Sequence, residues 1–153
     1  MKQAKKIITR MLLNNWGGIS HRMMEFHEYV NLFSGKSGSG KSTVMDAIQV
    51  VLYGSMSASF LNKAADDAKN RRSVMSYLRG EQKDGTANRG GQDFGSTLVL
   101  EIKDTGNGIT TCFGVLFEIG KADTDINGKY TFFSHSGSMP EDEYLEEGGI
   151  PYS

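Results

Sequence analysis

The stretch Gly35-Lys36-Ser37-Gly38-Ser39-Gly40-Lys41-Ser42 constrains this chain more than any other. It fits G-x-x-x-x-G-K-[ST], a phosphate-binding loop that functions only between a strand and a helix. Its glycines let the backbone turn back on itself, so that successive N–H groups converge on an anion. The helix that follows adds unpaired N–H groups and a partial positive charge at its N-terminus. Gly35, Ser37, Gly38, Ser39, Gly40 and Thr43 are the expected cradle. Lys41 is expected to reach the β- and γ-phosphates of a nucleotide, and the Ser42 hydroxyl to ligate Mg²⁺.

The flanking residues suit that motif. Tyr29-Val30-Asn31-Leu32-Phe33 reads as a short strand entering the loop. Val44, Ala47, Ile48, Val51 and Leu52 then recur at helical spacing, predicting a helix over residues 43–52. Two β segments precede the loop strand. The first covers residues 5–13 and carries Ile7, Ile8, Met11, Leu12 and Leu13. A turn over Asn14-Asn15-Trp16-Gly17-Gly18 returns into a second strand over residues 22–26. Trp16 is read either near an adenine ring or as core packing, with packing the commoner role.

Beyond the loop helix, Tyr53-Gly54-Ser55 is a stop signal. Residues 60–78 read as one or two short helices with Lys63, Lys69, Arg71 and Arg72 on one side. Residues 79–95 hold five glycines and almost nothing apolar, predicting a loop that is mobile or ordered by a ligand. The period then changes to two. Leu98, Leu100 and Ile102 alternate with Thr97, Val99 and Glu101, and Asp104-Thr105-Gly106-Asn107-Gly108 is a hairpin turn. Phe113, Val115, Phe117 and Ile119 mark the return strand. A turn at Asp125-Ile126-Asn127-Gly128 leads to a third strand over residues 130–133. The result is an antiparallel meander over 96–133. Residues 136–153 are acidic, with Glu141, Asp142, Glu143, Glu146 and Glu147. Pro140 is where a helix would start, as a connecting element or the beginning of a coiled coil.

The bulk numbers bound the rest. A chain of 153 residues is one domain or a large piece of one. No apolar run is long enough to cross a membrane, and the first ten residues do not read as a signal peptide. A single cysteine, Cys112, excludes an internal disulfide and fits a reducing cytoplasm. In a strand it reads as a small buried residue. Residues 1–80 hold twelve Lys/Arg against five Asp/Glu, and residues 81–153 hold five against thirteen. A basic half beside a nucleotide loop suits DNA as a partner, with Lys5, Lys6, Arg10, Arg22, Lys63, Lys69, Arg71 and Arg72 as the pool.

A nucleotide hydrolase also needs an acid that holds Mg²⁺ and polarises the attacking water. Leu98-Val99-Leu100-Glu101 and Val115-Leu116-Phe117-Glu118 each place an acid after apolar residues. Both lie in a tight antiparallel hairpin, whereas such an acid usually ends a buried strand parallel to the loop strand. No residue is assigned as catalytic, and the chain by itself lacks the parts to turn nucleotide over.

The run Leu13-Asn14-Asn15-Trp16, the phosphate loop and Met45-Asp46-Ala47-Ile48-Gln49-Val50-Val51-Leu52 together resemble the N-terminal head segment of SMC-like ATPases. Phe60-Leu61-Asn62-Lys63-Ala64-Ala65 and Tyr77-Leu78-Arg79-Gly80-Glu81 are similar to the MukB-like condensin branch and its Wadjet JetC-type members. The resemblance covers most of residues 7–135. It implies an α/β fold: a P-loop NTPase half-domain of the ABC-ATPase head type, with a preceding β hairpin and an antiparallel β subdomain. Residues 1–135 would be the ATP-binding lobe and 136–153 an acidic tail. ATP and Mg²⁺ are the implied cofactors. The implied partners are a C-terminal head segment of the same protein, a second head, DNA and a kleisin-type subunit, with no membrane. Arg79 would reach towards ATP or DNA. Gly17-Gly18 stands where such proteins usually carry a lysine, and neither Gln49 nor Gln92 takes a secure place as the Q-loop glutamine. Surface intended for the C-terminal segment would favour self-association. Two other classes stay open. One is a complete small phosphotransferase, with Arg71, Arg72 and Arg79 as lid arginines and Glu101 or Glu118 on the metal. The other is an interaction module that keeps the loop as a relic.

Overall fold

A computed structural model describes residues 5–26, 41–54, 73–82 and 84–151. The expected strand at 29–33, loop residues 35–40 and the basic segment 60–72 lie outside the described residues.

Five strands form one antiparallel sheet: β1 (Lys6–Trp16), β2 (Ile19–Glu25), β3 (Phe94–Asp104), β4 (Thr110–Ile119) and β5 (Tyr130–Ser136). Their spatial order is β2-β1-β3-β4-β5. The β1–β2 hairpin turns on Gly17-Gly18, with Trp16 opposite Ile19. β1 therefore runs three residues beyond the expected end at 13. The same β1 pairs along its other edge with β3, Met11 opposite Leu100 and Leu13 opposite Leu98. The preceding β hairpin and the later antiparallel meander are thus one sheet. Each supplies an edge the other needs, because unpaired backbone groups in a core are costly.

Helix α1 (Lys41–Tyr53) packs on one face of this sheet, with α2 (Val74–Arg79) against the β1–β2 end. Val44, Ala47 and Val50 of α1 join Met11, Leu13, Leu98, Leu100, Val115 and Phe117 in the main core. Val50 is fully buried, whereas Leu52, expected on the apolar stripe, is 47% exposed. Burial of each large apolar side chain contributes about 2 kcal/mol.

Two irregularities in β1 break its alternation. The register with β3 shifts between Ile8 and Arg10, so Thr9 is an extra residue. Asn15 takes a left-handed φ of 55°. Ile8 and Trp16 thereby pack with the same core as Met11 and Leu13.

The opposite face carries Leu12, Val99 and Cys112, covered by Met139 and Tyr144 from the tail. Where a helix was expected from Pro140 there is a turn, followed by β6 (Leu145–Glu146) and β7 (Ile150–Pro151). The backbone at Glu143 and Tyr144 is left-handed, φ 53° and 61°, which no helix accommodates. The turn is held instead by side chains. Met139 N–H donates to Glu101 at 3.0 Å, and Asn14 Nδ2 donates to the Glu143 carbonyl at 3.3 Å. His21 Nε2 lies 2.5 Å from the Glu143 carboxylate. Cys112 is buried as expected, and desolvation pushes its thiol above the usual range.

Candidate nucleotide site

Helix α1 is described from Lys41 onward, within the phosphate-loop pattern, which calls for a helix directly after its loop. Residues 35–40 and the side chains of Lys41 and Ser42 lie outside the described residues. What surrounds the first turn is described. The Trp16 indole donates from Nε1 to the Thr43 carbonyl at 3.0 Å. Its ring stacks on Tyr77 with centroids 4.7 Å apart and planes 15° apart. Trp16 is wholly buried, so of its two expected roles it takes the packing one.

The hairpin tip reaches the same turn. Gly17 has φ +59°, and a Cβ there would lie 2.8 Å from Thr43 Cγ2. Only glycine fits both requirements. Gly17 N–H donates to the Tyr77 carbonyl at 2.6 Å, while its own carbonyl accepts from Arg89 Nη2 at 2.6 Å. The hairpin tip, the start of α1 and the end of α2 are therefore one packed joint. A further tie runs from the Tyr77 hydroxyl to the buried Asp46 carboxylate on α1.

Helix α2 is short and capped at both ends. The Ser73 hydroxyl accepts from Ser76 N–H, and Gly80 closes the helix in the left-handed region at φ 68°. A Cβ on Gly80 would meet the Gly17 carbonyl at 2.7 Å. Arg79 is 7% exposed. Its Nη1 donates to the carbonyls of Arg89 (3.1 Å) and Gln92 (2.9 Å). Its Nη2 donates to Gly120 (2.7 Å), Lys121 (3.4 Å) and Asp123 (2.9 Å). The guanidinium, expected to face phosphate or DNA, here faces protein oxygens. Arg89 is its counterpart. It donates from Nε to Leu78 O at 2.6 Å, and burial pulls its guanidinium below the ordinary value. The described part of 79–95, expected to be mobile or ligand-ordered, is therefore organised by two buried cations that gather backbone carbonyls. No local pattern marks Arg89 in the sequence, because the carbonyls it binds belong to Leu78 and Tyr77, more than ten positions away, and to Gly17 at the hairpin tip.

The two candidate metal acids sit on the far side of the sheet. In β3, Leu98, Leu100 and Ile102 point to the helices, which leaves Val99 and Glu101 on the tail face. Glu101 accepts from Thr9 Oγ1 (2.8 Å), from Arg10 Nε (3.0 Å) and Nη2 (2.7 Å), and from Met139 N–H. Burial alone would raise its carboxyl, but these bonds outweigh it and hold the group at about 2. In β4, Val115, Phe117 and Ile119 face the helices, so Glu118 is exposed on the other side. Gln49 lies on α1 with its Oε1 buried and without a hydrogen-bond partner among the described residues. Of the basic pool, Arg10 is committed to Glu101, and Lys63, Lys69, Arg71 and Arg72 lie outside the described residues.

Residues 8–68 match the family described as the P-loop containing region of AAA domain. Over 74 residues, 46% of this chain, the sequence is 37% identical to the C component of the nuclease SbcCD of Staphylococcus haemolyticus (strain JCSC1435). The aligned part is 6% of that relative's length. The stretch matched to that family includes the whole phosphate-loop pattern, residues 35–42. No helix among the described residues is long and apolar enough to cross a membrane.

Proposed function

We propose that this chain is the ATP- and Mg²⁺-binding N-terminal part of an SMC-like ATPase head. The observation that carries this reading is the helix that follows the phosphate-loop pattern and the anchoring of its first described residues. Lys41, the last residue but one of the phosphate-loop pattern, lies in α1, and Trp16 anchors the Thr43 carbonyl two residues on. In this reading the amides of residues 37–43 cradle the phosphates and Lys41 neutralises the β- and γ-phosphates. The Ser42 hydroxyl, a hard oxygen donor in the first turn, would hold Mg²⁺. When bound, the ion neutralises charge on the phosphates. Trp16 and Gly17 keep the first turn in place. Arg79 acts from behind the site, by holding the loop against the β4–β5 connection.

The similarity to the SbcCD nuclease component supports the SMC-like assignment and, with it, action on DNA. Within that assignment the finer reading is the MukB-like condensin branch of Wadjet JetC type. A C-terminal segment of the same protein would supply the water-activating acid, a second head would close the site, and a kleisin-type subunit would bridge heads. A complete small phosphotransferase is the weaker reading, because Glu101 and Glu118 lie on the sheet face turned away from α1.

The test is ATP binding and turnover by the chain, beside Lys41→Ala. Binding that depends on Lys41, without turnover, supports the reading. Turnover of roughly 1 s⁻¹ or faster, as in ordinary enzymes, would mean that the site is complete, and would refute it. Binding unchanged by Lys41→Ala would remove the phosphate loop from the account.

A further inference from the structure

The described sheet ends on two outer strands, and they are protected differently. β2 carries Arg22 and Glu25, charges of the kind that discourage an edge strand from further pairing. β5 reads Tyr-Thr-Phe-Phe-Ser-His-Ser and has no Lys, Arg, Asp, Glu or Pro.

Hydrogen bonds at its two ends establish which backbone groups of β5 are already used. Glu118 N–H donates to Lys129 O at 2.9 Å, and Gly137 N–H donates to Thr110 O at 2.8 Å. Both belong to the register that sets Gly114 opposite Phe133. Hydrogen-bonded pairs alternate along an antiparallel ladder. Thr131, Phe133 and His135 therefore bond β4, while Tyr130, Phe132 and Ser134 turn their N–H and C=O groups outward. Among the described residues no strand covers that row.

The side chains of the outward residues lie on the helix-bearing face, Phe132 opposite Val115 and Tyr130 opposite Phe117. Phe132 is 41% exposed, and its neighbour Phe113 is 40% exposed. With Val51 of α1 they border a cleft of about 330 Å³. An aromatic cleft thus runs alongside a row of backbone donors and acceptors that no described strand pairs.

We propose that β5 is an interface strand that pairs antiparallel with β5 of a second copy of this chain, joining two sheets into one. The chemistry of the strand selects this occupant. Its seven residues carry no Lys, Arg, Asp or Glu, so two copies meet without the repulsion that like charges impose across strands. Self-pairing about Phe132 also matches the hydrogen-bond phase. Phe132 faces Phe132 of the second copy, and Tyr130 faces Ser134, so these outward backbone groups all find partners. The contact is two-fold and self-complementary, and it closes at two copies. It needs no nucleotide, which separates it from any pairing of heads through ATP.

Sedimentation of the full chain without nucleotide, from about 1 to 100 µM, tests this. Phe132→Lys places a charge on the symmetry axis, and Ser134→Pro removes an outward N–H without touching the bonds to β4. Ile109→Lys, at an exposed apolar site on the β3–β4 turn, controls for general surface hydrophobicity. Circular dichroism checks that each variant is folded. A dimer in the wild type and Ile109→Lys that weakens at least tenfold in both β5 variants supports the interface. A wild type that stays monomeric at 100 µM overturns it. So does a dimer that survives both folded β5 variants, or one that Ile109→Lys disrupts equally. Phe132→Cys gives an independent readout, since residues opposed across a two-fold lie close enough for a disulfide. Crosslinked dimer under mild oxidant is expected, and its absence in a sample that sediments as a dimer overturns the pairing.

Discussion

Replacing Glu101 by Gln tests whether the tail is held to the sheet by a charge. The carboxylate accepts from Arg10 through two nitrogens, from Thr9 and from Met139 N–H. Gln keeps one carbonyl oxygen and turns an amide NH₂ towards donors, so at least one buried bond is lost. The carboxyl sits at about 2 instead of 4.5. At about 1.4 kcal/mol for each pH unit, that displacement sets a ceiling of about 3 kcal/mol. The Arg10 side chain is 28% exposed, so screening by water reduces the expected loss to about 1–2 kcal/mol. The sign follows from the direction. A depressed carboxyl stabilises the fold above its unfolded value and loses that contribution as pH falls from about 4.5 towards 2. Urea unfolding of wild type and Glu101→Gln at pH 7 should differ by about 1–2 kcal/mol. At pH 3 the gap should narrow by about half. Equal stability at pH 7, or a gap of the same size at both pH values, would refute the account of Glu101 as the ionised anchor of Met139.

Arg79→Lys keeps the charge but loses the planar fork, leaving carbonyls among Arg89, Gln92, Gly120 and Asp123 unpaired. A loss of about 2–3 kcal/mol is expected, with faster amide exchange over 84–92 and 120–123 by mass spectrometry. Trp16→Phe keeps the stack on Tyr77 and removes the bond to Thr43 O. It should cost about 1 kcal/mol and weaken nucleotide binding through a looser first turn of α1, measured by titration calorimetry. Cys112 is wholly buried with its thiol raised, so Ellman's reagent should react with it only at the rate of unfolding. Reaction within seconds in native buffer would contradict the packing of the tail over β4.

Much of the local structure was legible because it depends on neighbouring residues. Period-two alternation marked β3 and β4, helical spacing marked α1, and Gly17-Gly18 and Asp104–Gly108 marked their turns. Arg79 stood out in the sequence, but the surroundings it takes in the fold could not be read there. Its carbonyl partners Gly120 and Asp123 lie more than forty positions away, and sequence pattern holds no trace of such a contact. The acidic tail misled for a related reason. Pro140, Glu141 and Asp142 suit a helix start, yet the bonds from Met139 and Asn14 to other parts of the chain outweigh a weak local preference.

The amino-acid sequence by itself determined a phosphate loop leading into a helix, a hairpin before it and an antiparallel meander after it. These follow from chemistry within a few residues: glycines that free the backbone, and side-chain periods that match one face of a helix or strand. The tertiary structure alone decided that hairpin and meander share one sheet through β1 and β3, and that Glu101 and Glu118 lie away from α1. It also decided that Arg79 and Arg89 order the loop between them. Each of these rests on pairing register or on buried charge meeting distant backbone, and such interactions take their energy from excluding water only once the chain has closed on itself.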